Sequence, residues 1–265
     1  MYSVFKIALN YAKYYLTARN GKGHGIHSPF VFDLVKHVFN DKIKYSCYAS
    51  IEQVRREMLV DRREISVIDF GAGSGMLKTG KRLVKNIAAT SLKPRKYAQL
   101  LFRLIQYFKP GTMLELGTSL GITSAYLASG NPGSEFITCE GDPAISIIAK
   151  NNFKKLIIKN IEVCTGDFKT TLPGILQQTR SIDFAFIDGD HKKQSTLDYF
   201  NLLLGNVNED SVIVFDDIHW SKEMEDAWEL IKKDERVTLT IDLFFIGMVF
   251  FKRGIHHKQH FVIRF

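Results

Sequence analysis

The sequence predicts an α/β fold built on a doubly wound, mainly parallel sheet. Short apolar runs rich in β-branched and aromatic residues recur after residue 111, and each is followed by a stretch with the apolar period of a helix. These strand-like runs lie at 112–116, 135–140, 161–165, 182–187 and 211–215. Because parallel strands need crossover connections, the alternation indicates βαβ units whose helices cover both faces of the sheet.

The last part of the chain departs from this alternation. After a helical stretch at 221–233, the segment "RVTLTIDLFFIGMVFF" (236–251) holds two strand-like runs with no helix between them. Consecutive strands without a crossover form a hairpin, so this segment predicts one antiparallel strand at the end of the sheet.

The front of the chain predicts a basic, mainly helical cap region at 1–96, which precedes a domain at 97–265. Helical patterns occur at 2–18, 29–39, about 50–62 and 94–108, with a strand-like run at 65–70. Ser28 before Pro29 has the chemistry of a helix N-cap followed by proline at the first helical position.

Charge differs between the two parts. Residues 1–96 carry 18 Lys and Arg against seven Asp and Glu, whereas residues 97–265 carry 18 against 21, and the whole chain has a net charge of +8. Clustered positive charge attracts phosphates and nucleic acids, but no aromatic–basic nucleic-acid motif accompanies it. The basic residues are therefore better explained as a solvated helix face than as a nucleic-acid binding site. They could also favour an anionic small-molecule substrate.

No apolar run approaches the ~18 residues that a membrane span requires, so no span is expected. The aromatic segment "MYSVFKIALNYAKYYLTARN" (1–20) predicts an amphipathic helix that packs on the core, with contact to a membrane surface as the alternative. Three cysteines without a CxxC motif indicate reduced thiols and a cytoplasmic protein. The sequence leaves a homodimer open.

Two glycine-rich turns each follow a strand-like run. In the first, "VIDFGAGSGMLKTGK" (67–81), the spacing from Gly75 to Lys81 matches the GxxxxGK of a phosphate loop. Arg82 stands where such loops need Ser or Thr, and no further strand follows for about thirty residues. The alternative is a structural turn that leads from a short strand into a helix within the cap.

The second turn has the features of a nucleoside site. "LELGTSLGITSAYLA" (114–128) runs from a strand through an ExGxxxG loop into a helix, and the next strand ends in Glu140. An acid at the tip of the second strand holds ribose hydroxyls in doubly wound nucleoside-binding sheets. Further polar groups follow later strands in "TGDF", "FAFIDGDH" and "VIVFDD", at the sheet edge where open α/β sheets bind ligands.

This ordered series resembles the class I S-adenosylmethionine-dependent methyltransferases, and most closely their catechol/caffeoyl-CoA O-methyltransferase-like branch. "FIDGDH" is its most specific element, and the resemblance covers about 97–252. The front segment "GHGIHSPFVFDL" is similar to a bacterial group of such enzymes. The resemblance implies a Rossmann-like sheet ordered 3-2-1-4-5-7-6, with strand 7 antiparallel.

The resemblance also implies roles by position. Glu140 would hold the ribose of S-adenosylmethionine, and Asp167 with Phe168 the adenine. The methionine end would be lined by Glu115, Gly117, Thr118, Gly121 and Thr123, with Asp188 also beside the cofactor.

In metal-dependent members of the branch, two Asp and one Asn hold a divalent ion. The matching positions are Asp188, Asp216 and Asp217, a set of oxygen ligands that suits Mg²⁺ or another divalent cation. Asp217 replaces the usual Asn. His191 falls three residues after Asp188, where relatives place a catalytic lysine; it is a candidate general base, with capping of the next helix as the alternative.

These observations predict a methyltransferase that acts on oxygen of a small molecule, with catalytic roles for Asp188 and His191 and assistance from a divalent metal. Two alternatives remain open at this point. One is a phosphate-loop nucleotide-binding protein that uses Gly75–Lys81, and the other is a relative that binds the cofactor without turnover.

Overall fold

The computed structural model describes residues 1–69, 78–255 and 257–265. The helices of the described residues are α1 Val4–Thr17, α2 Pro29–Leu34, α3 Cys47–Val60, α4 Val84–Ser91, α5 Arg95–Phe108, α6 Ile122–Gly130, α7 Pro143–Lys155, α8 Phe168–Gln178, α9 Lys193–Leu203 and α10 Lys222–Lys233, with a π-helical turn at Val35–Phe39. The strands are β1 Glu64–Asp69, β2 Lys78–Leu83, β3 Thr112–Leu116, β4 Glu135–Glu140, β5 Ile161–Thr165, β6 Phe184–Ile187, β7 Val212–Asp216, β8 Leu239–Asp242, β9 Ile246–Phe250 and β10 Gln259–Val262.

Eight of these strands form one sheet in the order β5-β4-β3-β6-β7-β9-β8-β10. Strand β9 is antiparallel to both of its neighbours, whereas β3, β4 and β5 pair in parallel, as do β6 and β7. The predicted α/β class, the 3-2-1-4-5-7-6 order and the antiparallel strand from the 236–251 hairpin are therefore confirmed. Strand β10, which pairs in parallel with β8, was not predicted.

The chain divides into two compact units, one formed by residues 42–178 and the other by 1–41 together with 179–265. These units do not coincide with the predicted division between residues 96 and 97. The predicted division into a cap region at 1–96 and a cofactor-binding domain at 97–265 stays a prediction.

The 42–178 unit contains β1 to β5 and α3 to α8. Its core joins Tyr48 and Met58 of α3 to Phe102 of α5, Tyr126 of α6 and Phe153 of α7. Helices α3 and α5 lie where helical stretches were predicted, at about 50–62 and 94–108. The first glycine turn, however, does not lead into a helix. It is followed by β2, which pairs antiparallel with β1 from Glu64↔Leu83 to Asp69↔Lys78.

The unit formed by residues 1–41 and 179–265 is built on β6 to β10. Every residue of β6, β7, β8 and β9 is buried, and Trp228 of α10 packs on this core. A Cβ at Gly247 of β9 would lie 2.8 Å from the Trp228 ring, so glycine is required at this contact. Ser28 caps α2 by accepting from the backbone N–H of Val31, as predicted.

Candidate functional site

The loop between β3 and α6 depends on three residues with left-handed backbone. Gly117, Ser119 and Gly121 have φ values of 108°, 47° and 78°. A Cβ at Gly121 would also lie 2.7 Å from the ring of Phe153, so this position requires glycine twice over. The N–H groups of Gly117 and Thr118 both donate to the carbonyl of Cys139, at 2.9 and 3.0 Å. The loop is thereby fixed to the end of β4.

Glu140 closes the same loop from the tip of β4. Its Oε2 accepts from the N–H of Ser119 at 2.7 Å, and its Oε1 accepts from the N–H of Asp142 at 2.9 Å. Burial raises the pKa of Glu140, and these backbone hydrogen bonds oppose that rise. Since a carboxylate offers about four lone-pair sites, each oxygen keeps the capacity to accept another donor such as a ribose hydroxyl.

Glu115 lies inside the protein, at the end of β3. It has no exposed surface, and its Oε2 accepts from the hydroxyl of Ser124 and, at 2.6 Å, from that of Thr138. Burial raises the pKa of Glu115 to about 7. Its Oε1 is buried with no hydrogen-bond partner, so this carboxyl group has room for one more donor.

The other predicted cofactor residues of this unit lie near the carboxyl ends of its strands. Thr118 is buried, and its hydroxyl lies 2.6 Å from that of Thr138. Thr123 is buried in the first turn of α6. Asp167 is exposed after β5, and its Oδ1 accepts from the N–H of Lys169 at 2.9 Å, just inside α8. Phe168 begins α8 and is half-buried.

The other unit carries an acidic cluster at the carboxyl ends of β6 and β7. Asp188, His191 and Asp216 each offer one ligand atom, and these atoms lie within 4.8 Å of one another. Asp216 is buried, whereas Asp188 and His191 are half-buried. The Nε2 of His191 lies 3.6 Å from Oδ1 of Asp188. Among the described residues, this is the group of His, Cys, Asp and Glu side chains that has the spacing of a metal site.

The composition of this cluster differs in one member from the predicted ligand set. It contains Asp188 and Asp216 with His191 as the third side chain, and a ligand role for Asp217 stays a prediction. Asp217 has left-handed backbone with φ 54°, and its N–H donates to the carbonyl of Phe245 at 2.6 Å. This turn separates Asp217 from Asp216, which remains in line with β7.

A second histidine, His219, has two acidic partners that the sequence did not indicate. The Nε2 of His219 lies 2.8 Å from Oδ2 of Asp242, and its Nδ1 lies 3.5 Å from Oε1 of Glu225. Burial, the largest effect, lowers the pKa of His219, but the hydrogen bonds and charges of Asp242 and Glu225 together outweigh it, so the net pKa is raised. Glu225 also accepts from the hydroxyl of Tyr2 at 2.7 Å, which connects this site to the start of α1.

The phosphate-loop alternative does not fit the described residues. Gly80 and Lys81 lie within β2, opposite Val67 and Ser66 of β1, and the Nζ of Lys81 lies 3.2 Å from a carboxylate oxygen of Glu64. A phosphate loop instead places its lysine where a loop enters a helix. Gly75 and most of that loop lie outside the described residues.

The site and the sheet together define an α/β protein of the nucleoside-cofactor class. A glycine loop after the first strand of the sheet and an acid at the tip of the second are the features of that class. Residues 114–218 match the family model described as a methyltransferase domain. Residues 114–218 therefore form a methyltransferase domain, and the sheet has the strand order of the class I, S-adenosylmethionine-dependent methyltransferases.

Solved structures with the same fold include methyltransferases that hold the cofactor or its product. An O-methyltransferase from Bacillus cereus in complex with SAH is 23% identical, covers 79% of this chain and 92% of its own, and has a TM-score of 0.57. SAH-bound PaMTH1 from Podospora anserina is 14% identical, with coverage of 85% and 97% and a TM-score of 0.60. TomG from Streptomyces achromogenes, an O-methyltransferase in complex with SAM, is 15% identical, with coverage of 79% and 91% and a TM-score of 0.56. No curated protein matches the sequence.

Across the part of the chain that the structure describes, no helix has both the length and the apolar character needed to cross a membrane.

Proposed function

We propose that the protein transfers the methyl group of S-adenosylmethionine to a hydroxyl oxygen of a small molecule, with a divalent cation at Asp188, His191 and Asp216. The observation that carries the proposal is the convergence of these three side chains at the carboxyl ends of β6 and β7. The neighbours from Bacillus cereus and Streptomyces achromogenes are described as O-methyltransferases, which supports oxygen as the acceptor atom.

Cofactor binding is assigned to the loop after β3 and the tip of β4. Glu140 would accept the ribose hydroxyls, because its carboxylate lies at the tip of β4 beside the glycine loop and offers more lone pairs than its backbone N–H partners occupy. The buried Oε1 of Glu115, which has no hydrogen-bond partner, would accept from the cofactor's ammonium group. Gly117, Thr118, Gly121 and Thr123 would shape the backbone around the methionine end. Asp167 and Phe168 would contact the adenine.

The donor set fits a divalent cation. Two carboxylates favour Mg²⁺ or Mn²⁺, and the imidazole of His191 shifts the preference toward Mn²⁺ or another transition metal. A bound cation would lower the pKa of an acceptor hydroxyl, which must lose its proton to attack the sulfonium methyl group. The protein's own contribution is to align that oxygen with the methyl group and to exclude competing water.

The pair formed by His191 and Asp188 favours a second arrangement without a metal. Asp188 lies 3.6 Å from the imidazole and would orient it, so that His191 could take the acceptor proton itself. In this arrangement Asp188 and His191 keep the catalytic roles predicted from the sequence, and Asp216 loses its role as a ligand.

The deciding experiment follows labelled methyl transfer to a panel of phenols, catechols and hydroxy acids, in anionic and neutral pairs, before and after chelation. We expect chelator to abolish transfer, and Mn²⁺ or Mg²⁺ to restore it. Asp216→Asn should lower kcat at least 100-fold, whereas Asp226→Asn on α10 should leave it unchanged. Transfer that resists chelation and survives Asp216→Asn would exclude the metal, and label found only on amines would exclude O-methylation.

A further inference from the structure

Helix α1 is apolar on two opposite sides, and only one of these sides is covered. On the inner side, Tyr14 is buried, and Tyr11 and Tyr14 pack against Phe244 with ring centroids 5.1 and 5.3 Å apart. The hydroxyl of Tyr14 donates to the carbonyl of Ile263. These contacts account for the stability of α1 on the protein, and they use none of the side chains of the opposite side.

The outer side exposes large apolar residues in register along the helix. Phe5 is 79% exposed, Leu9 56% and Leu16 77%, and with the exposed Ala12 they follow a 4-3-4 spacing that aligns them on one side. A contiguous apolar patch of this kind marks an interaction surface rather than ordinary solvent-facing helix.

The surroundings of this outer face are cationic. Lys6 and Lys13 are both exposed on α1, and the chain contains no acidic residue before Asp33. The guanidinium of Arg264 lies 4.9 Å from the ring centroid of Tyr15, and its Nη2 donates to the carbonyl of Leu16. Glu225 and Asp226 of α10 lie near Tyr2, and Glu225 also accepts from Asn10, but the charged side chains of α1 itself are lysines. An apolar stripe with lysines beside it complements a surface with negative headgroups over a hydrocarbon interior.

We propose that the outer face of α1, formed by Phe5, Leu9 and Leu16, binds an anionic lipid surface. The apolar side chains would enter the boundary between headgroups and acyl chains, while Lys6 and Lys13 contact the phosphates. A second copy of the chain fits less well, because two such faces would bring lysines against lysines. One helix face is also small against the roughly 800 Å² per partner of a standard interface.

The inner contacts allow α1 to bind lipid without leaving the protein. The N–H of Tyr2 donates to the carbonyl of Trp220 at 3.0 Å, and the side chain of Asn10 donates to Glu225 at 3.4 Å. These bonds hold both the start and the middle of α1. The proposal is independent of the acceptor and the metal, since no residue of the outer face is part of either site.

The test is flotation of the full-length protein with phosphatidylcholine vesicles that contain either no phosphatidylserine or about 30% of it, at low and high salt. We expect binding only to the anionic vesicles, with affinity falling as salt rises. Phe5→Gln/Leu16→Gln should lower the affinity at least tenfold. Lys6→Gln/Lys13→Gln should lower it about 30-fold, at roughly fivefold for each lysine.

Matched controls separate this surface from general effects. Val60→Gln/Ile157→Gln removes two apolar side chains of similar exposure, and Lys150→Gln/Lys154→Gln removes two exposed lysines of α7; both should bind like wild type. Failure of the wild-type protein to float with anionic vesicles would overturn the proposal. So would binding that survives Phe5→Gln/Leu16→Gln, or a wild-type dimer in light scattering that this variant dissociates without any vesicle binding.

Discussion

At the scale of single residues, Glu115 shows how burial sets the behaviour of a site. Its pKa is raised to about 7 by burial, whereas an unfolded chain protonates this carboxyl at about 4.3. The folded state therefore favours the protonated form. The stability associated with Glu115 is complete below about pH 4 and is lost as the pH rises through about 7.

Replacing Glu115 with Gln should remove this dependence on pH. Gln has nearly the same shape and keeps an oxygen that can accept from Ser124 and Thr138. In urea unfolding, the free energy of unfolding of the variant relative to that of the wild-type protein should rise by about 2 to 3 kcal/mol from pH 5 to pH 8. Glu135→Gln, at an exposed position of β4, should show no such trend. A wild-type–variant difference that stays constant over this range would contradict the account of Glu115.

Residue types and spacing predicted two members of the candidate metal cluster, because Asp188 and Asp216 each follow an apolar strand. The convergence of His191 with these two carboxylates could not be predicted, since it depends on how the loop after β6 folds. The contact of His219 with Asp242 was equally hidden. It joins residues 23 positions apart, beside the ends of β7 and β8, which do not pair with each other but both pair with β9.

At the scale of secondary structure, the loop that enters α6 is the most constrained element of the cofactor site. Gly121→Ala would place a Cβ against Phe153 and force a side chain into a left-handed backbone. We expect the free energy of unfolding to fall by about 1 to 3 kcal/mol. Gly174→Ala in α8 meets open space, so it should be neutral or stabilise by up to about 1 kcal/mol. Equal effects of the two substitutions in urea unfolding would contradict this view of the loop.

The strands that the sequence revealed and those that it concealed differ in composition. Strand β6 is a continuous apolar run and β7 is one up to Asp216, as buried parallel strands are. Strand β2, "KTGKRL", is polar and cationic, and it exists because β1 pairs with it. Strand β10 is four residues long, and Phe261 is its one buried residue. Neither β2 nor β10 has an apolar pattern from which a strand could be predicted.

At the scale of the whole molecule, we propose different tasks for different parts of one chain. The loop after β3 and the tip of β4 would bind S-adenosylmethionine, the acidic cluster after β6 and β7 would prepare the acceptor, and the outer face of α1 would bind lipid. The second and third tasks can each fail in experiment without affecting the first. Binding of the cofactor at Glu140 is therefore the central claim.

Calorimetric titration of S-adenosylhomocysteine tests that claim most directly. The wild-type protein and Glu135→Gln should bind it equally, and Glu140→Gln should bind at least tenfold more weakly. Gln keeps one oxygen for the N–H of Ser119 but loses the acceptor of the Asp142 N–H, so urea unfolding is used to confirm that the variant is folded under the conditions of the titration. ATP should not compete. Undiminished binding by Glu140→Gln, or tight binding of ATP that is lost in Lys81→Ala, would contradict the account.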